Sequence, residues 1–316
     1  MDNPMYNAIL RWSITQTDTT APSPTEEAKP MDPEKRAFLQ NVMDTMVEKD
    51  SKTMKDIVEI IKGPEDTLDQ ANVKQEALDD AIDRCDRIDY AVSFHAFANG
   101  LFPTIELLAG SEHGGVRGRA AELLALVVKD NAPCQAWAFE GGALEKLLAL
   151  HAGNVKGGGA VGETEKLRAV GAMNALIQLN PDAQLAFIQA GGIDALKRDL
   201  KPDSGQRLKA RTLFVMRSLL LESASIRDVC LSDAPLLSLF SDCSLLADDE
   251  EHAEHATAAL EALAQHNSSA VKAAVGQVFV ASLQSRITRL ESNSNEDTTE
   301  AVRTALALLS SLSAAI

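Results

Sequence analysis

The chain has 316 residues, of which 45% are hydrophobic but only 4% are aromatic, and its formal net charge is −16. Ala and Leu supply much of the apolar content and lead the scale of helix propensity, so the composition predicts an all-α protein. The negative charge argues against a nucleic-acid-binding protein, because phosphate backbones require clustered Lys and Arg side chains. It argues equally against docking on an anionic membrane.

Residues 1–30 begin with a short apolar motif and continue as a polar linker. Ile9, Leu10, Trp12 and Ile14 lie within AILRWSITQTD, and TTAPSPTEEAKP follows. A linker this rich in Pro, Thr and Glu cannot build a core, so we expect a flexible N-terminal segment that carries the short apolar motif. The start lacks the basic region and apolar run of a signal peptide, and the four cysteines lack Cys-x-x-Cys spacing. The expected location is therefore the cytosol.

Residues 31–97 are predicted to form a helical cap. Apolar residues recur there at helical spacing, including Phe38, Val42, Met46, Ile57 and Ile61. A repeat array needs such a cap, because its first core face would otherwise be exposed to water.

Residues 98–316 contain about four related copies of one helical pattern. The copies begin at Arg119, Arg168, Arg211 and Glu254, so the intervals are 49, 43 and 43 residues. The longest interval contains NVKGGGAVGE, which we interpret as a surface insertion. A period in the low forties is typical of armadillo or HEAT repeats.

Each copy predicts a short helix, a glycine corner, a second helix and a long third helix, which is the armadillo arrangement. The expected helix breaks, where Asn or Ser can cap the next helix, are at Asn131, Asn180, Glu222 and Asn267. The expected corners are Gly141-Gly142 and Gly191-Gly192, since glycine tolerates positive φ. The fold class predicted from these patterns is an all-α, right-handed armadillo superhelix.

Two short patterns resemble functional motifs, but a structural role explains each of them better than a chemical one. Gly157, Gly159 and Gly162 match Gly-x-Gly-x-x-Gly, but a dinucleotide site needs a preceding strand, and LEKLLALHAGN is helical. His252 and His255 are one helical turn apart, yet no third metal ligand is evident, and a solvated polar helix face explains them. We therefore predict no catalytic residue, no metal and no cofactor, and a protein that is not an enzyme.

The long third helices each carry a polar stripe beside their core positions. Stacked third helices line the concave side of an armadillo superhelix, so the stripes would join into one groove. Their basic character, in a chain of charge −16, predicts a binding surface for an acidic protein partner; for any single residue the alternative is a solvated helix face. The stripes consist of Arg119, Glu122 and Lys129, then Arg168, Asn174 and Gln178, then Arg207, Arg211, Phe214 and Arg217, with Glu254 in the fourth copy.

Three stretches resemble a known family. ILRWSITQTDTT resembles the N-terminal opening of the Fes/HspBP family, IDYAVSFHAFANGLFPTIELL its entry into the first repeat, and RGRAAELLALVVKDNAPCQ its first long helix. The chain departs from the family at Val92 and Ser93, where an Asn-Asp pair is usual, and at Ala98 and Asn99, where a Gly-Gly pair is usual.

The family comprises armadillo-type nucleotide exchange factors of the heat shock protein 70 chaperone. The resemblance implies that the concave groove, with Asp89 and Ala91 among its contacts, binds the chaperone's nucleotide-binding domain and opens the cleft that holds ADP. It also implies that the segment with Ile9, Leu10, Trp12 and Ile14 mimics a substrate of the chaperone's peptide-binding domain. A monomer is expected, with no nucleic acid or membrane as partner. The alternative is an armadillo adaptor or scaffold that binds acidic proteins or peptides and has no exchange activity.

Overall fold

A computed structural model describes residues 33–245, 250–292 and 296–314. The chain divides into two compact units, Met1–Asp56 and Ile57–Ile316. The described residues form helices and connecting loops, without a β-strand. The helices are α1 (Pro33–Lys62), α2 (Leu68–Cys85), α3 (Ile88–Ala96), α4 (Leu101–Gly110), α5 (Gly114–Val128), α6 (Ala132–Glu140), α7 (Ala143–Ala152), α8 (Glu163–Ile177), α9 (Pro181–Gln189), α10 (Gly192–Asp199), α11 (Gln206–Glu222), α12 (Ala224–Leu231), α13 (Ala234–Ser244), α14 (Glu250–Ser292) and α15 (Glu296–Ala314).

In the unit Ile57–Ile316 the helices follow one another in groups of three. The groups are α3 to α5, α6 to α8, α9 to α11, and α12 and α13 with the first part of α14. The backbone of α14 leaves helical geometry at Asn267 and Gly276, so its remainder and α15 form a fifth group. The long helices α2, α5, α8, α11 and the first part of α14 pack side by side in chain order. This confirms the predicted armadillo arrangement, and it places α3, which we had assigned to the cap, at the start of the first repeat.

The predicted helix breaks are confirmed and have a common cause. The side chains of Asn131, Asn180, Ser223 and Asn267 each accept a hydrogen bond from a backbone N–H three residues on, at 3.4, 3.2, 3.4 and 3.0 Å. These N-caps satisfy backbone donors that the first turn of a helix leaves unpaired. One new helix therefore starts at the same place in successive repeats.

The glycine corners are also confirmed. Gly142 and Gly191 have φ of 75°, in the left-handed region, and connect the first helix of a repeat to the second. Gly276 has the same φ at the corresponding corner inside α14. Because a Cβ atom is strained in this conformation, glycine is the residue that lets the chain reverse here.

A buried ion pair joins the first two repeats. Arg117 on α5 is only 2% exposed, and its Nε donates to Glu165 Oε1 on α8 at 2.8 Å. Arg117 Nη1 also donates to the carbonyl of Ser111, in the loop before α5, at 3.1 Å. The guanidinium thus holds the second-to-third-helix loop of its own repeat against the next repeat.

The glycine-rich insertion lies between α7 and α8, and most of its residues are exposed, as predicted for a surface insertion. It includes one short 3-10 turn, Lys156–Gly158, and Lys156 pairs with Glu112 at 3.3 Å. The segment before it is helix α7, so the Gly-x-Gly-x-x-Gly match does not follow a strand. Across the described ranges, no helix combines the length and apolar character that a membrane span requires.

Candidate functional site: a groove along the stacked third helices

A ladder of charged side chains follows the stacked helices α2, α5, α8, α11 and α14. We call it the groove ladder and define it by Asp79, Arg119, Glu122, Arg168, Arg211, Arg217 and Glu254. Because these side chains come from five successive stacked helices, regular stacking brings residues more than 170 positions apart in sequence onto one surface.

At its N-terminal end the ladder consists of alternating ion pairs. Arg119 contacts Asp79 and Glu122, each at 2.8 Å, and Arg168 reaches back to Glu122 at 3.1 Å. The hydrogen bond to Glu122, helped by the charge of Asp79, raises the pKa of the Arg119 guanidinium. The side chains are about one-third exposed, so these pairs contribute little to stability and chiefly hold the charges in place.

The ladder loses its acidic partner at Arg211. Gly171 stands three residues after Arg168, in the place that Glu122 occupies after Arg119. Arg211 lies against this glycine: a Cβ atom there would be 2.7 Å from Arg211 Nη2. The Arg211 guanidinium lies 5.6 Å from the ring centroid of Phe214, which is 44% exposed, and no described carboxylate pairs with it. The result is an exposed cation beside an exposed aromatic ring.

The C-terminal rung surrounds Arg217. Its Nη1 lies 3.9 Å from Glu254 Oε1 and 3.4 Å from His255 Nδ1. The His255 ring packs edge-on against Phe214, with centroids 5.6 Å apart. Burial, and after it the charge of Arg217, lowers the pKa of His255, so the imidazole is neutral near pH 7.

A depression of about 560 Å³ opens in the middle of the ladder. Gly171, which has no side chain, lines it together with Arg211 and Phe214. Asn174 also lines it, and its buried Oδ1 has no hydrogen-bond partner among the described residues. The depression therefore offers a cation, an aromatic face and a free amide acceptor to a partner.

The residues of the predicted stripes lie on the third helices or at their C-terminal caps, whereas the two groove contacts implied by the family resemblance, Asp89 and Ala91, do not. Ala91 is 2% exposed, packed inside the first repeat, so its side chain cannot belong to a binding surface. Asp89 is exposed but lies on α3, outside the ladder helices, and pairs with Arg87 at 3.0 Å. Arg207 is exposed one turn before Arg211 on α11, and Lys129 and Gln178 line the depression. Ile9, Leu10, Trp12 and Ile14 lie outside the described residues.

The expected basic character of the groove is only local. Arg119, Arg168 and Arg217 are each within ion-pair distance of an acid. Of these acids, Glu122 and Glu254 were among the predicted groove residues, whereas Asp79 was not. Comparing the repeats position by position could have found the break in the pattern, since a glycine faces Arg211 where Glu122 faces Arg168. The expected solvated helix face at His252 and His255 is wrong: His252 is 4% exposed, with its Nε2 2.7 Å from the carbonyl oxygen of Gln206, and His255 is half-buried.

Comparison with solved structures defines the class of protein. A designed armadillo repeat protein matches with a TM-score of 0.65 and 20% identity, over 82% of this chain and 99% of that one. The molecule is an all-α armadillo-repeat solenoid.

Comparison with protein families then identifies the particular group. Residues 6–93 match the family model "Nucleotide exchange factor Fes1", and residues 97–236 match the model "SIL1/FES1/HPBP1 C-terminal domain". The chain belongs to this Fes1/HspBP1 family. Human "Hsp70-binding protein 1" is 25% identical over 67% of this chain and 59% of its own length. The "Hsp70 nucleotide exchange factor FES1" of Eremothecium gossypii is 25% identical over 53% of this chain and 55% of its own. The chain thus spans less than two thirds of the length of these relatives.

Proposed function

We propose that this protein is a cytosolic, monomeric nucleotide exchange factor for an Hsp70 chaperone. It binds the chaperone's nucleotide-binding domain along the groove ladder and promotes release of ADP. The family membership of residues 6–236 supports the activity. The proposed position of the binding surface is supported by Arg211, which lies over Gly171 and beside Phe214 and has no acidic partner among the described residues.

The mechanism follows from the rigidity of the repeats. The third helices pack directly against one another, and the buried Arg117–Glu165 pair joins α5 to α8, so the groove presents a preformed surface. A lobe of the partner that binds in this groove contacts a rigid protein surface on both sides. The opposing lobe is displaced, and the cleft that holds ADP opens. No residue of the exchange factor has to touch the nucleotide.

The groove chemistry favours an acidic residue of the partner at the central depression. A carboxylate there would accept hydrogen bonds from the exposed Arg211 guanidinium, while an aliphatic or aromatic neighbour packs on Phe214. Arg119 and Arg168 are already paired with acids, so they would help to orient the partner more than they would increase its affinity.

We further propose that residues 1–30 help the chaperone to release its substrate. Ile9, Leu10, Trp12 and Ile14 would occupy the peptide-binding site, and the tether to the groove would raise their local concentration. Deleting residues 1–30 should spare ADP release and slow the release of a tightly held peptide. Leu10→Ala with Trp12→Ala should mimic the deletion. Normal peptide release by both variants would end the pseudo-substrate idea.

Release of a fluorescent ADP analogue from the chaperone, followed by stopped flow, tests the activity. Wild-type protein should accelerate release, whereas Arg168→Glu with Arg211→Glu should abolish most of the acceleration, because like charges across an interface are costly. Lys201→Glu, an exposed charge reversal outside the groove depression, is the matched control. Equal rates with the control and the groove variant, at unchanged circular dichroism, would place the interface elsewhere.

The alternative function is an adaptor that binds acidic partners without exchange activity. Exchange and ADP binding are linked, so ADP must weaken this protein's grip on the chaperone by the factor by which the protein weakens ADP. A factor of ten to a hundred corresponds to about 1.4 to 2.8 kcal/mol. Equal affinity with and without saturating ADP would favour the adaptor.

A further inference from the structure

Leu179, between α8 and α9, has a backbone conformation that leucine rarely adopts. Its φ is 55°, in the left-handed region, and among the described residues the other non-glycine residues with positive φ are Asn99 and Asp130. Asn and Asp enter this region because their short polar side chains can hydrogen-bond locally, whereas the Cβ of a leucine is crowded there. The backbone at Leu179 is therefore strained.

The fold holds Leu179 in this conformation without burying its side chain. The Leu179 N–H donates to Glu222 Oε1, at the end of α11 in the next repeat, and the same oxygen accepts a hydrogen bond from Gln184 Nε2 at 2.7 Å. The Leu179 side chain is 73% exposed, so it gains little from burial within the chain. Because Gly or Asn would fit this backbone with less strain, stability of the fold does not account for a leucine here.

Leu179 lies at the edge of the groove. The residue before it, Gln178, lines the groove depression. On the next third helix, Leu221 stands seven positions after Phe214, which is two turns further along the same face of α11, and it is 58% exposed. Since Glu222 follows Leu221 and holds the Leu179 backbone, the two leucines lie at adjacent ends of α8 and α11. We call Leu179 and Leu221 the rim leucines.

A recess of about 280 Å³ opens beside Leu221. It is lined by Leu220, Leu221, Arg227, Ala262, Gln265 and His266. Its polar groups already have partners within the protein. Arg227 donates to the carbonyls of Leu220 and Leu221 at 2.6 and 3.3 Å. His266 Nε2 lies 3.2 Å from Asp228 Oδ1, and Gln265 donates to Glu261. The recess therefore suits an apolar side chain better than a polar one, which would be desolvated there without a new partner.

The rim leucines are close enough to the groove ladder to share its partner. Two helical turns separate Leu221 from Phe214, a distance of about 11 Å along α11. A standard protein interface covers about 800 Å² on each partner, which corresponds to a patch roughly 30 Å across. A domain that contacts Arg211 and Phe214 would thus also cover the end of α11 and the neighbouring end of α8.

We propose that the rim leucines contact the same chaperone domain that binds the groove ladder. This domain places one apolar side chain against Leu179 and another in the recess beside Leu221. The inference rests on the proposed exchange function and names a second chemistry for its binding surface: a carboxylate pairs with Arg211, and apolar side chains pack at the rim. Because Glu222 already holds the Leu179 backbone in the free protein, this contact requires little ordering on binding.

Leu179→Asn tests the proposal, because Asn tolerates positive φ but removes the apolar side chain. In urea denaturation the variant should be at least as stable as the wild type. Its affinity for the labelled nucleotide-binding domain of the chaperone, measured by fluorescence anisotropy, should fall at least about tenfold, since an apolar contact of leucine size is lost. Leu221→Gln should also weaken binding. Val278→Asn is the control, because it removes another exposed apolar side chain, 81% exposed, from the fifth group of helices, and it should bind as the wild type does.

Ionic strength separates the rim from the charges of the ladder. The fold-change in affinity caused by Leu179→Asn should be the same at low and at high salt, because an apolar contact is not screened by ions. The fold-change caused by Arg211→Glu should shrink as salt rises, since it comes from charge. A loss in Leu179→Asn that shrinks in the same way would contradict an apolar contact.

The possible results also separate this inference from the proposed function. Wild-type affinity in Leu179→Asn, with binding by the wild type intact, would overturn the rim contact and leave the exchange function standing. No binding by the wild type would overturn both. A lower stability of Leu179→Asn would show that the leucine serves the fold. Concentration-dependent self-association of the wild type that Leu179→Asn abolishes would assign the rim to a second copy of this chain, and would likewise overturn the proposal.

Discussion

Arg117 and Arg211 are arginines on corresponding helices of two repeats, and they have opposite surroundings. Arg117 is buried between repeats, where Glu165 and the Ser111 carbonyl take its hydrogen bonds. Arg211 is exposed in the groove, where Gly171 leaves it without an acid and Phe214 lies beside it. The first arginine is paired within the chain, whereas the second has no acidic partner among the described residues. Residue type alone therefore does not separate an arginine that holds the fold from one that is left unpaired on the surface.

The largest effect is expected at the junction. Arg117→Ala leaves the largely buried Glu165 carboxylate without its countercharge, so the free energy of unfolding should fall by about 3–5 kcal/mol. Urea denaturation followed by circular dichroism measures it. Arg119→Ala, which breaks a partly exposed pair on the same helix, should cost less than about 1 kcal/mol. If the two variants lost equal stability, the contrast between junction and groove would be wrong.

An intermediate effect is expected from restoring the missing acid of the ladder. Gly171→Glu should give Arg211 the partner that Glu122 gives Arg168, and so reduce affinity for the chaperone about tenfold, or about 1.4 kcal/mol. The protein should stay folded, because replacing a helical glycine gains up to about 1 kcal/mol of helix propensity, and the atom nearest the new Cβ is the end of a flexible side chain.

Gly171→Ala is the matched control for that substitution, since it adds the Cβ without the carboxylate. Fluorescence anisotropy with the labelled chaperone domain compares the two variants. Affinities reduced equally by both would mean that the depression, and not the free charge of Arg211, matters to the partner.

The smallest effect concerns the pH dependence of the groove wall. Burial, followed by the charge of Arg217, lowers the pKa of His255 below its ordinary 6.5. The unfolded chain takes up this proton near pH 6.5 while the native state resists it, so the contribution of His255 to stability is present above pH 6.5 and is lost as pH falls. His255→Gln should flatten the decrease in Tm between about pH 7 and pH 5. Parallel profiles for wild type and variant would show that the imidazole is not desolvated.

Much of the fold could be predicted from local features of the sequence. Asn131, Asn180 and Asn267 cap helices because their side chains accept from the backbone three residues ahead, and Gly142 and Gly191 turn the chain because glycine alone tolerates positive φ freely. Such effects act over three or four residues, and the sequence displays them directly. These features recur at intervals of about 43 residues, and this repetition indicated the solenoid.

Only the face of the helices that lines the groove could be predicted in this way, and not the pairing of its charges. The spacing of Arg119, Arg168 and Arg211 predicted a common face, because equal positions in stacked repeats must align. Whether each arginine is paired depended on residues from neighbouring repeats, such as Asp79, Glu122 and Gly171. Ala91 shows the same limit, since its burial depends on helices packed around it.

The helices, their breaks and corners, the repeat, and the face that would line a groove could all be predicted from the sequence, because periodicity and backbone conformation are local properties. Which charges meet depends instead on how the repeats pack. This packing buried Arg117 on Glu165, neutralised Arg119 and Arg168, left Arg211 exposed, and placed Glu222 at the Leu179 backbone. Those outcomes depend on distances between side chains of different repeats, which are set by how the helices pack and not by the order of residues within any one of them.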